Sequence, residues 1–350
     1  MTSGGWPAPR AGCWDGVVQN EFSIVVDRSK YQYAPTPWEQ ESWRVSALDW
    51  VAEQLASHGL RASGELSVRL RPWSVLVRVP VVGRDAVWFK ANPPASAFEG
   101  PLTAALARWV PTYVLQPLAV DAERAWILLP DGGDLFRTVL SREPVGPRTW
   151  EELLRQYASM QRALTPHVRE IEQLKVPATR TLDLPGAFDG LLTRSTALHP
   201  EARARLERLR PRLTDWCAEL ASLGVEDTLD HADLHEGQLF HPAPGRFTFF
   251  DWGDAAVSHP FCSLRIPAGK ARARYGPQVL ARLLDAYLEP WTGPGRAPAD
   301  LRRAAHLAWR LSALGRAASW GRTFPGASGT SVAAEQISES LLELLNEPPF

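Results

Sequence analysis

His231-Ala-Asp233-Leu-His235-Glu-Gly-Gln238, followed shortly by Phe250-Asp251-Trp-Gly-Asp254, is the stretch whose reading decides the fold. It sets a carboxylate on a tight loop, an amide five residues later, and a second carboxylate directly after an aromatic strand, Phe247-Thr-Phe-Phe250. Phosphoryl transfer from a nucleotide asks for this set. One carboxylate orients and deprotonates a hydroxyl, while an amide oxygen and a further carboxylate hold magnesium against the phosphates. Magnesium takes hard oxygen ligands and keeps several waters, so two protein ligands suffice. The pattern therefore predicts a kinase of small molecules, dependent on ATP and Mg2+, with Asp233 as base and Gln238 and Asp251 as metal ligands. A lone loop Asp is usually a turn or capping residue; the flanking His231 and the downstream amide and carboxylate favour the catalytic reading. His231 is expected to hold the loop by bonding to backbone. His235 is read as a loop-packing residue beside the base, with contact to phosphate or substrate as the alternative, and Asp254 as a cap or a partner of the catalytic loop.

With these residues in view, the chain resembles the aminoglycoside phosphotransferase and choline kinase-like family. His231-x-Asp233-x-x-x-x-Gln238 matches its catalytic loop and Asp251 its metal-binding aspartate. The likeness runs from about Leu66 to the C-terminus. One position departs: the family carries Asn where this chain has Gln238, which displaces the amide oxygen by about one C–C bond length. The resemblance implies an α+β, two-lobed protein-kinase-like fold, with a small antiparallel-sheet N-lobe and a mainly helical C-lobe. It implies that Lys90 meets the nucleotide phosphates with Glu99 orienting its ammonium. It places the Arg71-Pro-Trp-Ser74 turn over the phosphates, with Ser74 as a donor, and the Leu128–Gly133 segment, including Leu129 and Asp131, at the adenine. Glu335, Glu339 and Glu343 recur every four residues and form one acidic face. In aminoglycoside kinases acidic residues near this end bind the cationic drug, although a solvated face is the commoner meaning of such a run. Two alternatives stand beside the enzyme: a kinase-like nucleotide- or ligand-binding protein with impaired catalysis, suggested by Gln238, and a protein kinase. The protein kinase is disfavoured because no Arg precedes Asp233, no Ala-Pro-Glu follows Asp251, and the phosphate turn is not glycine-rich.

Bulk properties narrow the class. A chain of 350 residues suffices for two lobes, and a net charge of -1 argues against a nucleic-acid partner. Lys30, Lys90, Lys175 and Lys270 are the only lysines, the other basic residues being arginine, a bias of GC-rich bacterial genomes. Cys13, Cys217 and Cys262 match no metal or redox spacing. No apolar run spans a membrane and no signal peptide opens the chain, so a cytoplasmic protein acting on a hydroxylated small molecule is expected.

Along the chain, residues 1–35 lack sustained periodicity, apart from a short strand candidate at Phe22–Val26. Residues 36–130 read as the N-lobe. Thr36-Pro-Trp-Glu39 is a capping box opening a helix that ends at Gly59, and strands follow around Leu66, Val75 and Val87. A helix from Pro101 to Trp109 and apolar runs Tyr113–Val120 and Ala125–Leu129 complete that lobe. Pro130-Asp-Gly-Gly133 reads as a hinge, and residues 131–350 as the helical C-lobe. In it, Thr149-x-x-Glu152 predicts a helix start, Pro211 a kink, and periodicity three late helices at 275–290, 299–319 and 332–346.

Overall fold

The computed structural model describes residues 24–323 and 332–350. They form two compact units. The first comprises the described residues up to Pro93 together with Gln116–Asp131; the second comprises Pro94–Leu115 and Gly132–Phe350.

The first unit is a sheet covered on one face by a helix. Its elements are β1 (Ile24–Asp27), α1 (Glu41–Ser57), β2 (Leu66–Arg71), β3 (Ser74–Val81), β4 (Arg84–Ala91), and, after the chain returns, β5 (Ala119–Asp121) and β6 (Trp126–Pro130). The sheet order is β1-β2-β3-β4-β6-β5. Alternating burial along β2 and β3 sends Leu66, Val68, Leu70, Val75, Val77 and Val79 inward, as a period of two requires. These side chains pack with Trp50, Val51 and Leu55 of α1. Phe89 and Trp126 meet edge to face at 5.6 Å in the same core. The sheet is mixed, not purely antiparallel, because β1 pairs parallel to β2 from Ile24↔Leu66 to Asp27↔Arg69. Asp27 holds that edge by receiving Arg71 Nη2 at 2.7 Å. The Thr36–Glu39 capping box closes a single 3-10 turn, with the Thr36 N–H donating to Glu39 Oε2 at 2.8 Å, and α1 proper starts at Glu41.

The second unit is mostly helical. It contains α2 (Glu99–Trp109), α3 (Phe136–Arg142), α4 (Pro147–Leu164), α5 (Val168–Gln173), α6 (Leu184–Arg194) and α7 (Pro200–Ser222). Four short strands interrupt it: β7 (Thr228–Asp230), β8 (Leu239–Ala243), β9 (Arg246–Phe249) and β10 (Ala256–Ser258). Then come α8 (Arg265–Tyr275), α9 (Leu280–Leu288), α10 (Pro298–Thr323) and α11 (Val332–Leu342).

Several elements differ from expectation for identifiable reasons. Helix α2 belongs to the helical unit, not to the sheet lobe, and starts at Glu99. Pro101 then falls in the first turn, where its missing N–H has no acceptor to lose. The expected strand Tyr113–Val120 shortens to Ala119–Asp121. Tyr113 instead accepts the Phe249 N–H at 2.7 Å, which ties that segment to β9. Helix α4 starts at Pro147 after Gly146, so Thr149 sits inside its first turn and does not cap it; proline at the first position is preorganised for helix. Helix α7 continues through Pro211. The helix expected at 275–290 is α9, Leu280–Leu288, and it is preceded by a further helix, α8, which ends at Tyr275 before Gly276 at φ 89°.

Candidate active site

Strand β7 runs antiparallel to β10 and ends at Asp230. Residues 231–238 loop out and return into the β8–β9 hairpin, and Asp251 follows β9 with Phe250 between. Two backbone positions here take the left-handed conformation, Ala232 at φ 60° and Asp251 at φ 65°. Residues with a Cβ hold such angles only when the surroundings impose them, and clasps do so here. Fully buried His231 donates through Nε2 to the Phe250 carbonyl at 2.8 Å. The Phe250 N–H donates to the Gln238 carbonyl at 3.2 Å. The Ala232 N–H donates to Asp230 Oδ1 at 2.9 Å. The catalytic-loop candidate and the Asp251 loop are thus one hydrogen-bonded body, and His231 holds backbone as its position suggests.

Beneath the loop lies a buried polar platform. Asp230 accepts from Ser258 Oγ at 3.1 Å and from Ser263 Oγ, and burial pushes its carboxyl above the usual carboxylate range. The Tyr157 hydroxyl accepts the His231 N–H at 3.0 Å and lies 3.1 Å from Ser263 Oγ. Gln161 Nε2 donates to the Leu229 carbonyl at 2.8 Å, and Tyr287 donates to Gln161 Oε1 at 2.6 Å. Sequence reasoning took Tyr157 for a core residue and passed over Asp230, Gln161 and Ser263. One signal was present: Gln161 is an amide on the buried face of α4, between Met160 and Leu164.

Asp233 stands above this platform with 30 % of its side chain accessible. Burial first, then the negative charges of Asp254 and Asp251, against the opposing charges of His231 and Arg316, raise its carboxyl to about 6. A base titrating there is matched to neutral pH. Gln238 Nε2 approaches Asp233 Oδ2 at 3.5 Å, so the amide nitrogen faces that carboxylate and its oxygen faces away. His235 accepts the Gly237 N–H on Nδ1 at 2.9 Å, and its Nε2 lies 3.6 Å from Asp233 Oδ2. Burial, ahead of the nearby charges, holds that imidazole below its ordinary value, hence neutral. Among the described residues Asp254 shows neither a helix cap nor a bond to the 231–238 loop: it accepts from Ser319 Oγ, and its carbonyl accepts Arg322 Nη2 at 3.3 Å, both from α10.

A magnesium ion fits these residues. Asp251 and the outward amide oxygen of Gln238 are hard donors of the kind it takes. The negative charges of Asp254 and Asp251 that bear on Asp233 are what a divalent cation relieves. Among the described residues no three or more His, Cys, Asp or Glu gather as a metal cluster, so most ligands would be water and phosphate oxygens, as magnesium allows.

The nucleotide candidates divide between the units. Lys90 lies on β4 between Leu76 and Ile127, on the face away from α1, and shares it with Trp88. Ser74 opens β3 at the hairpin turn. Leu129 is opposite Trp88, and Asp131 accepts the Trp88 Nε1–H at 2.9 Å. Glu99, only 2 % exposed, opens α2 in the helical unit. There it backs on to the loop after Asp251: Ser96 Oγ donates to the Gly253 carbonyl at 2.8 Å. A Cβ at Gly253 would come within 3.1 Å of Glu99 Oε2.

Comparison with known proteins agrees with this architecture. The model of a family described as phosphotransferase enzymes matches residues 84–305. No curated protein sequence matches. Among solved structures, macrolide 2′-phosphotransferase from Brachybacterium faecium is similar with a TM-score of 0.57 at 20% identity, over 84% of this chain and 98% of that one. Ethanolamine kinase from Plasmodium vivax gives 0.56 at 15% identity, over 90% of each chain. Choline kinase from Streptococcus pneumoniae gives 0.53 at 11% identity, over 85% of this chain and 98% of that one. At these identities the likeness is one of fold, the two-lobed, kinase-like α+β fold.

Proposed function

The chain belongs to the phosphotransferase enzyme family, and from that premise we propose that it transfers the γ-phosphoryl group of ATP to a hydroxyl of a small molecule, with magnesium. Asp233 orients the acceptor hydroxyl and takes its proton as the bond to phosphorus forms. Asp251 and Gln238 hold the metal, which when bound neutralises charge on the phosphates. Lys90 supplies a fixed cation for the nucleotide phosphates, and Glu99 is its proposed counter-charge. Ser74, Leu129 and Asp131 are the proposed nucleotide contacts at the phosphate turn and beside adenine. Catalysis on this reading comes from positioning and charge neutralisation. The observation that supports it is the clasp joining the loops that carry Asp233, Gln238 and Asp251, His231 to Phe250 and Phe250 to Gln238. The names of the structural relatives, macrolide, ethanolamine and choline kinases, support a small-molecule acceptor.

The test is an ATP-consumption screen with magnesium over hydroxylated antibiotics and metabolites, using the natural chain, Asp233→Asn, Gln238→Asn and Gln238→Ala. Loss of the base should cost about 10²–10⁴-fold in turnover with ATP affinity kept. Gln238→Ala should raise the magnesium requirement, while Gln238→Asn should keep or improve activity. Turnover that survives in Asp233→Asn would remove that residue as the base. Turnover that appears only in Gln238→Asn would make the natural chain an impaired, nucleotide-binding relative.

A further inference from the structure

The helical unit contains a cavity of about 310 Å³ between α8, α10 and α11, lined by Arg265, Ile266, Lys270, Arg316, Glu339 and Glu343 among others. Arg316, Arg265 and Ile266 also line a smaller space with Ala232 and Leu234, the neighbours of Asp233. The larger cavity therefore adjoins the catalytic loop, and Lys270, 3.9 Å from Glu236, lies along the same loop.

The charges in this cavity are unevenly satisfied. Glu343, one of the acids available to a cationic acceptor, is bound by Arg265. Glu339 accepts from Gln336 Nε2 at 2.7 Å. Lys270 has Glu236. Arg316 is half-buried and has no ion-pair or hydrogen-bond partner among the described residues. Its charge reaches Asp233 on one side and the like-charged Arg265 on the other. The guanidinium thus stands beside another cation, partly removed from water, and bonds to no anion among the described residues, Asp233 included. Its planar fork suits a carboxylate or a phosphate.

We propose that the acceptor carries an oxyanion, a carboxylate or phosphate, which Arg316 receives in this cavity while the acceptor hydroxyl faces Asp233. The proposal rests on the kinase reading and narrows its substrate class. It also accounts for the acidic face of the last helix: that face is partly consumed by Arg265 and does not serve a polycation.

The experiment compares the natural chain with Arg316→Gln and Arg316→Lys. Magnesium-ATP is supplied with matched acceptors: D-gluconate against D-glucose, glycerol 3-phosphate against glycerol, and the polycation kanamycin. The first pair reads a carboxylate and the second a phosphate. At least one anionic member should exceed its neutral twin by about tenfold or more in kcat/KM. Arg316→Gln should erase that preference through KM with kcat little changed, and Arg316→Lys should restore part of it. Preference for kanamycin, or an anion preference unchanged in Arg316→Gln, overturns the proposal. Should no compound be phosphorylated, inorganic sulfate is the direct probe of the cavity. A sulfate-dependent rise in Tm in the natural chain and Arg316→Lys, absent from Arg316→Gln, upholds the anion site even as the kinase reading fails. An equal rise in all three proteins overturns the site.

Discussion

At the scale of the residue, Asp233 is held at a cost to the fold. Its carboxyl is raised to about 6, against about 3.9 in an unfolded chain. A group raised on folding contributes stability in full below its unfolded value and loses it as the pH climbs through the folded one. At pH 8 the ligand-free protein therefore carries an ionised, partly desolvated Asp233 among other carboxylates. Asp233→Asn should stabilise the ligand-free protein at pH 8 by about 1–3 kcal/mol, with the gain shrinking toward pH 5. Urea unfolding at the two pH values measures it. The same variant should lose turnover, and a merely structural defect would lower both. Gly253 gives a second prediction. Gly253→Ala brings a methyl to 3.1 Å from Glu99 Oε2, so the carboxylate must yield. The KM for ATP should rise about threefold or more while the acceptor KM holds, and the change should add nothing to Glu99→Ala if both act through one group. The placing of Asp233, Gln238 and Asp251 on two adjoining loops was legible from their spacing. Gly253 was not, because its reason is the side chain of Glu99, more than a hundred residues earlier.

At the scale of the element, periodicity found α4 and missed α8, and the two differ in their apolar faces. Helix α4 buries Leu153, Leu154, Tyr157, Met160 and Leu164, the residues its pattern singles out. Helix α8 buries only Pro267, Ala268 and Ala271 on a charged sequence, so no apolar stripe announces it. Yet Arg265 and Lys270 of this helix line the cavity beside the 231–238 loop. The polar platform under β7 was equally hidden, since hydrogen bonds between α4, β7 and the segment before α8 leave no periodic trace. Its role can be isolated at Tyr157, whose hydroxyl is buried and accepts the His231 N–H. Tyr157→Phe keeps the ring and leaves that N–H without a partner. Stability should fall by about 1–3 kcal/mol, read by urea unfolding. If the platform positions the loop, kcat should also fall several-fold while the KM for ATP holds. An unchanged kcat would confine the platform to stability.

At the scale of the molecule, the capping box at Thr36, the alternation of β2 and β3, and the change to helical periodicity after Pro130 marked out a sheet unit and a helical unit. A strand was expected at Phe22–Val26, and β1 takes up Ile24–Val26 of it, residues 22 and 23 lying outside the described residues; its parallel pairing and the transfer of α2 to the helical unit were not readable, because each depends on partners distant in sequence. The acid response of the whole fold likewise depends on distant groups acting together. His259 is 2 % exposed, and burial depresses its imidazole to about 3. Its Nδ1 accepts the Phe261 N–H at 3.2 Å, so the neutral ring is the one built into the turn. The unfolded chain binds a proton at this residue below about pH 6.5 that the fold refuses. This stability is present above 6.5 and is lost as the pH falls toward 3, at up to about 1.4 kcal/mol per pH unit. His235 and His241, also depressed by burial, act in the same direction. Asp233 acts in the opposite direction below about pH 6, because the fold binds its proton more tightly than the unfolded chain does. Unfolding free energies from pH 7 to 5 should therefore separate the two groups. His259→Asn retains an acceptor for the Phe261 N–H but cannot titrate, so it should flatten the acid loss by about 2 kcal/mol over that range. Asp233→Asn should steepen it. If both variants shift the curve in the same direction, the balance between the buried imidazole and the active-site carboxylate is not what sets the acid limit of this fold.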